Sequence, residues 1–218
     1  YNLIQGKGVW DQSSRKAHWK NRKNNQPFFH KASYAISHES SLHFEKEAMK
    51  NQPTEHDPSK VKLAPYHPDT KTLRYTQARY HDNIVKIDNV VGEIIDELKN
   101  DGLLEDTFVF YFGDHGGVLP RSKGYAFETG LHVPLVVRIP KNFKHLVKYS
   151  TNDREAGFVE FIDFGPTLLN LAGIKIPDKV DGIPFMGKGS KTREFTFNYA
   201  DRFDEKCDFV RWIRKGRY

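Results

Sequence analysis

The run Thr107-Phe108-Val109-Phe110-Tyr111-Phe112 passes straight into Gly113-Asp114-His115-Gly116-Gly117, and this join constrains the chain more than any other stretch. Aromatic and β-branched side chains in unbroken succession favour a strand buried on both faces. The glycine-rich polar segment behind it ends the strand and lets backbone approach backbone or ligand closely. In α/β sheets, ligand sites form at such strand ends.

The surrounding pattern alternates helix and strand. Residues 72–100 carry Tyr80, Ile84, Ile87, Val91, Ile94, Ile95 and Leu98 at steps of three and four, the period of one helix face, and Asp101-Gly102 ends it. Residues 9–23 read as a short amphipathic helix. Residues 28–36 read as a buried strand ending at Ser37-His38-Glu39-Ser40. Prolines 53, 58, 65 and 68 among many charges make 41–70 a long surface loop. A helical turn is expected within 123–130, a strand over 133–139, a helix over 155–172 capped by Gly173, and a last strand over 195–199. Alternation of this kind predicts an α/β fold, a mostly parallel sheet flanked by helices.

Composition narrows the function classes. With 218 residues, 38% hydrophobic and 13% aromatic, the chain can bury one α/β core. No apolar run reaches the ~18–20 residues of a membrane span. The single cysteine, Cys207, excludes an internal disulfide framework and a CxxC zinc site. Its neighbours Asp204, Glu205 and Asp208 work against a reactive thiolate. Lysine and arginine exceed aspartate and glutamate by 34 to 28, a balance that suits an anionic partner. The basic stretch 15–23 holds no nucleic-acid reader motif, and a solvated face explains it. The chain opens on Tyr1 without a leader-like segment and closes on Arg214-Lys215-Gly216-Arg217-Tyr218, which reads as a turn into a further strand; both ends are expected to be cut.

Four features converge at expected strand ends: His38, Asp114-His115, Lys123 and His132. Singly, each has an ordinary explanation as a turn former, a surface charge or a cap. Together, a carboxylate, imidazoles and an ammonium can bind a metal and a tetrahedral oxyanion and handle a leaving-group proton.

The stretch 106–117, followed by Lys123-Gly124-Tyr125-Ala126-Phe127-Glu128-Thr129-Gly130-Leu131-His132-Val133-Pro134, closely resembles the second signature of the sulfatase family, in the alkaline phosphatase superfamily. Gln26-Pro27-Phe28-Phe29 with Ser37-His38-Glu39-Ser40 resembles the family's strand ending in a sulfate-contacting histidine. Residues 80–98, with Asp88 and Gly92, resemble its long helix, and 163–173 with Asp181-Gly182-Ile183-Pro184-Phe185 its late helix and loop. The arrangement is nearest to bacterial sulfatases related to heparan N-sulfatase.

The resemblance implies an alkaline phosphatase-like fold, incomplete at both ends. Residues 1–218 would be a partial catalytic domain, with a C-terminal subdomain begun near 195–218. It implies Asp114 and His115 as metal ligands, His38 and Lys123 as catalytic groups, and His132, Arg121 and Arg202 as substrate contacts. The implied cofactor is a divalent metal, calcium first and manganese or another ion otherwise. The implied partner is a sulfated glycan or small sulfate ester, with no nucleic acid. The family's location is periplasmic, secreted or lysosomal. Two departures stand out. The Cys- or Ser-x-Pro-x-Arg segment that yields formylglycine is absent from this sequence, as is the acidic pair completing the metal site; both are expected upstream, and this chain alone is expected to be inactive. His115 and His132 stand where many sulfatases carry Asn and Arg. That widens the metal choice and keeps a phosphodiester or phosphonate hydrolase as the second reading, with a non-catalytic anion-binding domain as the third.

Overall fold

This computed structural model describes residues 8–24, 26–203 and 206–218, the side chains of 201–203, 206 and 208 excepted. The chain divides into two compact units, Tyr1–Ala35 and Ile36–Tyr218. In the first, the helix expected over 9–23 is reduced to a 3-10 turn, Trp19–Asn21, with Trp19 as its buried anchor. A short segment dense in like charges cannot sustain a helix on its own. The strand expected over 28–36 does not form either. Phe29 and Tyr34 are exposed, and among the described residues no partner strand takes up its backbone groups.

In the second unit a 3-10 turn (Glu39–Leu42) leads through the short helix α1 (Ala48–Asn51) and a proline-rich loop into α2 (Lys71–Asn100). The Thr70 hydroxyl caps α2 by accepting from the Leu73 N–H, and Gly102 takes the left-handed conformation just past its end. The face that α2 buries is more polar than its sequence periodicity indicates. Tyr75, Gln77, Ala78, Asp82 and Asn83 are buried, whereas Ile84 and Val85 are exposed. The preceding loop explains this: Asp82 accepts the N–H groups of Glu55 and His56, and the Tyr75 hydroxyl donates to the Gln52 carbonyl. Among the described residues, no helix is long and apolar enough to cross a membrane.

Strand β1 (Val109–Phe112) pairs with β2 (Leu135–Arg138), with helix α3 (Glu128–Leu131) in the segment between them. The pairing is antiparallel, from Val109 opposite Arg138 to Phe112 opposite Leu135. After β2 the chain reaches helix α4 (Phe164–Leu171), then a hairpin of β3 (Phe195–Phe203) and β4 (Lys206–Lys215), also antiparallel. Both described ladders therefore depart from the mostly parallel sheet that helix–strand alternation predicts. The connection from β1 to β2 holds only one helical turn, too little for a crossover, and the hairpin of β3 and β4 reverses directly. The late helix starts at Phe164 rather than 155, because Phe158 is engaged in a bridge with Arg193.

Asp163, 1% exposed, is the polar centre of this region. Its carboxylate accepts a two-pronged hydrogen bond from the Arg193 guanidinium at 2.8 and 2.6 Å, and the N–H groups of Glu160 and Ile183. Burial pushes the Asp163 carboxyl upward, but these donors outweigh it and hold it below the ordinary aspartate value. Rings of Phe110, Phe112, Phe161 and Phe185 pack around Phe164 beside it. Asp163→Asn should therefore destabilise the chain by roughly 3–5 kcal/mol, the usual cost of leaving a buried partner uncompensated. Because the folded carboxyl is depressed, its stabilisation is present above the unfolded value of about 3.9 and lost as pH falls through the folded value. Thermal unfolding against pH should show that acid-side loss in the natural chain and not in the variant; equal melting temperatures would contradict it.

Candidate functional site

The antiparallel register places the end of β1 beside the start of β2, so residues 113–134 close over a single end of the ladder. Two glycines let this segment fold against itself. A Cβ on Gly116 would lie 1.8 Å from the Thr129 carbonyl oxygen, and one on Gly130 2.4 Å from that of Ser122. The Gly116 N–H donates to the Gly130 carbonyl at 2.9 Å, and the buried Ser122 hydroxyl donates to the Thr129 carbonyl. Lys123 follows, its N–H bonded to the Gly117 carbonyl at 3.0 Å.

The Lys123 ammonium reaches across to the turn that begins at His38. Its Nζ lies 2.9 Å from Glu39 Oε2 and 3.4 Å from His38 Nε2. These contacts join positions 85 residues apart. The turn is held to α2 through Asn83, which donates to Ser41 Oγ, and Arg79, which donates to the Ser41 carbonyl. Glu39 carries the electrostatic imprint of the group. Its carboxyl is lowered chiefly by the hydrogen bond from Lys123, with smaller pulls from His38 and His115.

The backbone contacts of the two histidines favour opposite neutral tautomers. His38 Nδ1 lies 3.0 Å from Ser40 Oγ, which can donate or accept, and 3.2 Å from the Ser40 N–H, which can only donate. The neutral ring proton therefore sits on Nε2, towards Lys123. His115 Nδ1 is 2.8 Å from the Gly116 carbonyl, which can only accept. The proton then sits on Nδ1, and Nε2 presents a bare lone pair. Asp114 Oδ1 lies 3.6 Å from that Nε2, too far for a hydrogen bond. It is the separation expected of two neighbouring ligands at about 2.0–2.4 Å from one cation. The pair thus fits a divalent metal as two of its ligands. Among the described residues, no group of three or more His, Cys, Asp or Glu side chains is placed to hold an ion.

Two of the expected substrate contacts, His132 and Arg121, do not join this group. His132 is exposed and bonds Glu128 at 2.9 Å, a carboxylate shared with Arg214. Arg121, in the left-handed region at φ 64°, lies over the rings of Tyr66 and Phe127, 4.7 and 4.2 Å from their centres. The side chain of Arg202 lies outside the described residues; its backbone pairs with Cys207. Glu39 was not among the expected site residues, although it stands in the polar cluster that the sequence marks after Ser37.

Comparison with known proteins agrees with the motif. The sulfatase family model matches residues 5–174. An ulvan-active sulfatase of Formosa agariphila is 33% identical over 96% of this chain, which covers 40% of that protein. Human N-sulphoglucosamine sulphohydrolase is 28% identical over 57% of the chain, covering 24% of that protein. The chain thus spans well under half the length of these relatives. Among solved structures, a complex of an enzyme with its substrate D-glucosamine-2-N,6-O-disulfate superposes with a TM-score of 0.56 at 21% identity, over 66% of this chain and 31% of that one. A phosphonate monoester hydrolase from Silicibacter pomeroyi superposes at 0.50 and 24% identity, over 71% and 30%. These two likenesses carry the fold alone.

Closure of the loop should be sensitive to one methyl group. Gly116→Ala must push the Thr129 carbonyl aside, at a cost of about 1–3 kcal/mol for overpacking. The lowered melting temperature should come with faster amide exchange at Gly116 and Lys123. Unchanged exchange there would show that the loop is not held by this close approach.

Proposed function

We propose, since this chain belongs to the sulfatase family, that it contributes the anion cradle and part of the metal site to a hydrolase of sulfate esters or sulfamates on a sulfated glycan. The observation that carries this reading is the approach of His38 Nε2 and the Lys123 ammonium, 85 residues apart in the chain, to 3.4 Å. With the ring proton on Nε2, both are donors that can bond one oxyanion oxygen between them.

Each group then has a role set by its surroundings. The Nε2–H of His38 hydrogen-bonds the ester, oriented by the Ser40 N–H at its other nitrogen. His38 would then act as a donor towards the leaving oxygen. Lys123, already cationic, offsets charge on the sulfuryl oxygens and can deliver a proton to the departing alkoxide. Asp114 and His115 would hold a divalent cation, which supplies further positive charge to the sulfuryl group when bound. The nucleophile is assigned to a part of the protein outside these 218 residues. The sequence has no Cys- or Ser-x-Pro-x-Arg segment, and Cys207 is exposed on β4.

Glu39 favours sulfate over phosphate monoesters. Its carboxylate, 2.9 Å from Lys123, brings the side-chain charge of the His38–Glu39–Lys123 cradle close to zero. Such a cradle accepts a singly charged ester more readily than a doubly charged one. Sulfate monoesters and sulfamates carry one negative charge, whereas phosphate monoesters near neutral pH carry close to two. A phosphodiester or phosphonate monoester is also singly charged. That equal charge keeps phosphodiester or phosphonate hydrolysis as the second reading.

Three outcomes test the reading. In the full-length enzyme, Lys123→Ala should lower kcat/KM for an aryl sulfate by about 100-fold or more. Its melting temperature should barely move, since a part-exposed ion pair contributes little to stability. Glu39→Gln should raise kcat/KM for a phosphate monoester relative to the sulfate by about tenfold, the scale of one unit charge a few ångströms away in a solvated site. The 218 residues alone, given calcium or manganese, should not turn over an aryl sulfate. Unchanged turnover in Lys123→Ala would make Lys123 an ordinary surface residue and sink the proposal.

A further inference from the structure

Charge is not spread evenly along this chain. Residues 1–35 hold seven of its lysines and arginines and a single acid, Asp11, so they account for the whole formal net charge of +6. Residues 36–218 balance at 27 of each sign. An even spread would give the first 35 positions about one net positive charge. Segregation of this kind marks a polyanion-facing element rather than a general adjustment of solubility.

The structure of the first unit gives that charge a shape. Trp19, 5% exposed, anchors the 3-10 turn, and His18 Nδ1 accepts the Lys20 N–H to start it. Arg22 is fixed behind the turn. Its guanidinium donates to the carbonyls of Trp19 at 2.8 Å and Gln26 at 2.9 Å and lies over the Phe28 ring. Lys20, Arg22, Lys23 and Asn24 line an open cleft of about 300 Å³, the lower end of the range for small-molecule sites. The fork of Arg22 is thereby held in place rather than ordered on binding, which lowers the entropic cost of holding an anion. In the same unit Trp10 stacks on Phe29 with ring centres 5.7 Å apart, and Phe29 is 60% exposed. Preset cationic donors and an exposed aromatic face in one unit suit a ligand with anionic groups on apolar ring faces.

We infer that residues 8–35 form a docking surface for a sulfated polysaccharide chain. The choice of ligand rests on the sulfatase reading above. It would let the enzyme hold a polymer through sulfate groups other than the one being hydrolysed.

The experiment measures binding, not turnover. Full-length protein is titrated with fluorescein-labelled heparin as the sulfated-polysaccharide probe, over a series of NaCl concentrations. The natural protein is compared with Lys16→Gln/Lys20→Gln/Lys23→Gln, and with Lys175→Gln/Lys179→Gln/Lys188→Gln as a control of equal charge change outside the unit. The first variant should bind at least tenfold more weakly at 0.15 M NaCl. Its dependence of log Kd on log salt should be shallower by about two to three, one step for each lost ionic contact. The control should stay within twofold, and Lys20→Arg/Lys23→Arg should bind like the natural protein. Equal weakening in both triple variants would overturn the inference, since the attraction would then follow total charge. Tighter binding of single-stranded DNA than of heparin, lost in the same variant, would overturn it in favour of a nucleic-acid surface. Turnover of a small aryl sulfate, assayed in parallel, separates the two claims. Retained turnover with no heparin binding sinks only the docking surface. Heparin binding that depends on Lys16, Lys20 and Lys23, without any sulfatase turnover, supports the surface and sinks the sulfatase reading.

Discussion

The candidate site depends on one close approach of backbone to backbone. Gly116 and Gly130 sit where a side chain would strike a carbonyl, and their contact folds residues 113–134 back over the end of β1 and β2. Everything the site needs from this half of the unit follows. His115 is turned so that its Nδ1 meets the next carbonyl, and Lys123 emerges where it can span to the His38 turn. The other half is set by α2, whose Asn83 and Arg79 hold Ser41 and with it the turn. The ion pair of Lys123 and Glu39 joins the two halves but does not build them, since each has its own backbone scaffold.

Charge in the site is balanced group against group. A bare imidazole nitrogen beside a carboxylate oxygen attracts a cation; a protonated one beside an ammonium attracts an anion. On the proposed reading the same residue type would serve both tasks, because a backbone donor at His38 and a backbone acceptor at His115 favour opposite tautomers. Glu39 would then limit how much negative charge the anion half accepts. With a cation held by Asp114 and His115, a sulfuryl group would meet positive charge from that side and N–H donors from the other.

Much of this was legible in the sequence, and the failures have physical causes. The Asp114-His115 pair and Lys123 could be placed in one loop because the end of β1 and the glycine-rich segment behind it mark themselves by composition; the strand expected to carry His38 does not form, and His38 begins a 3-10 turn instead. The C-terminal end of α2 could be read from Asp101-Gly102. The apolar part of the face α2 buries could be read as well, since Ile87 and Leu98 are buried as expected, but its polar part could not. Gln77, Asp82 and Asn83 look solvent-directed, and only the folded chain shows their partners: His81 on the same helix, the N–H groups of Glu55 and His56, and the Ser41 hydroxyl. Strand direction was misjudged because alternation of helix and strand does not report how short a connection is. The strand β4 was missed as a whole, although exposure alternates along 209–213, from Phe209 through Arg211 to Ile213. Nothing local announces that Tyr66 and Phe127 will lie beneath Arg121.

The most direct test of this account is the protonation pattern of two rings. Long-range proton–nitrogen correlation spectra of the chain labelled with nitrogen-15 in histidine, assigned with His38→Gln and His115→Gln, report which nitrogen of each ring carries the proton. The account requires the Nε2–H form at His38 and the Nδ1–H form at His115. Addition of a diamagnetic divalent ion such as zinc should shift His115 Nε2, and addition of sulfate should shift the Nε2 signal of His38. The same tautomer in both rings, or metal and sulfate acting on neither, would contradict it.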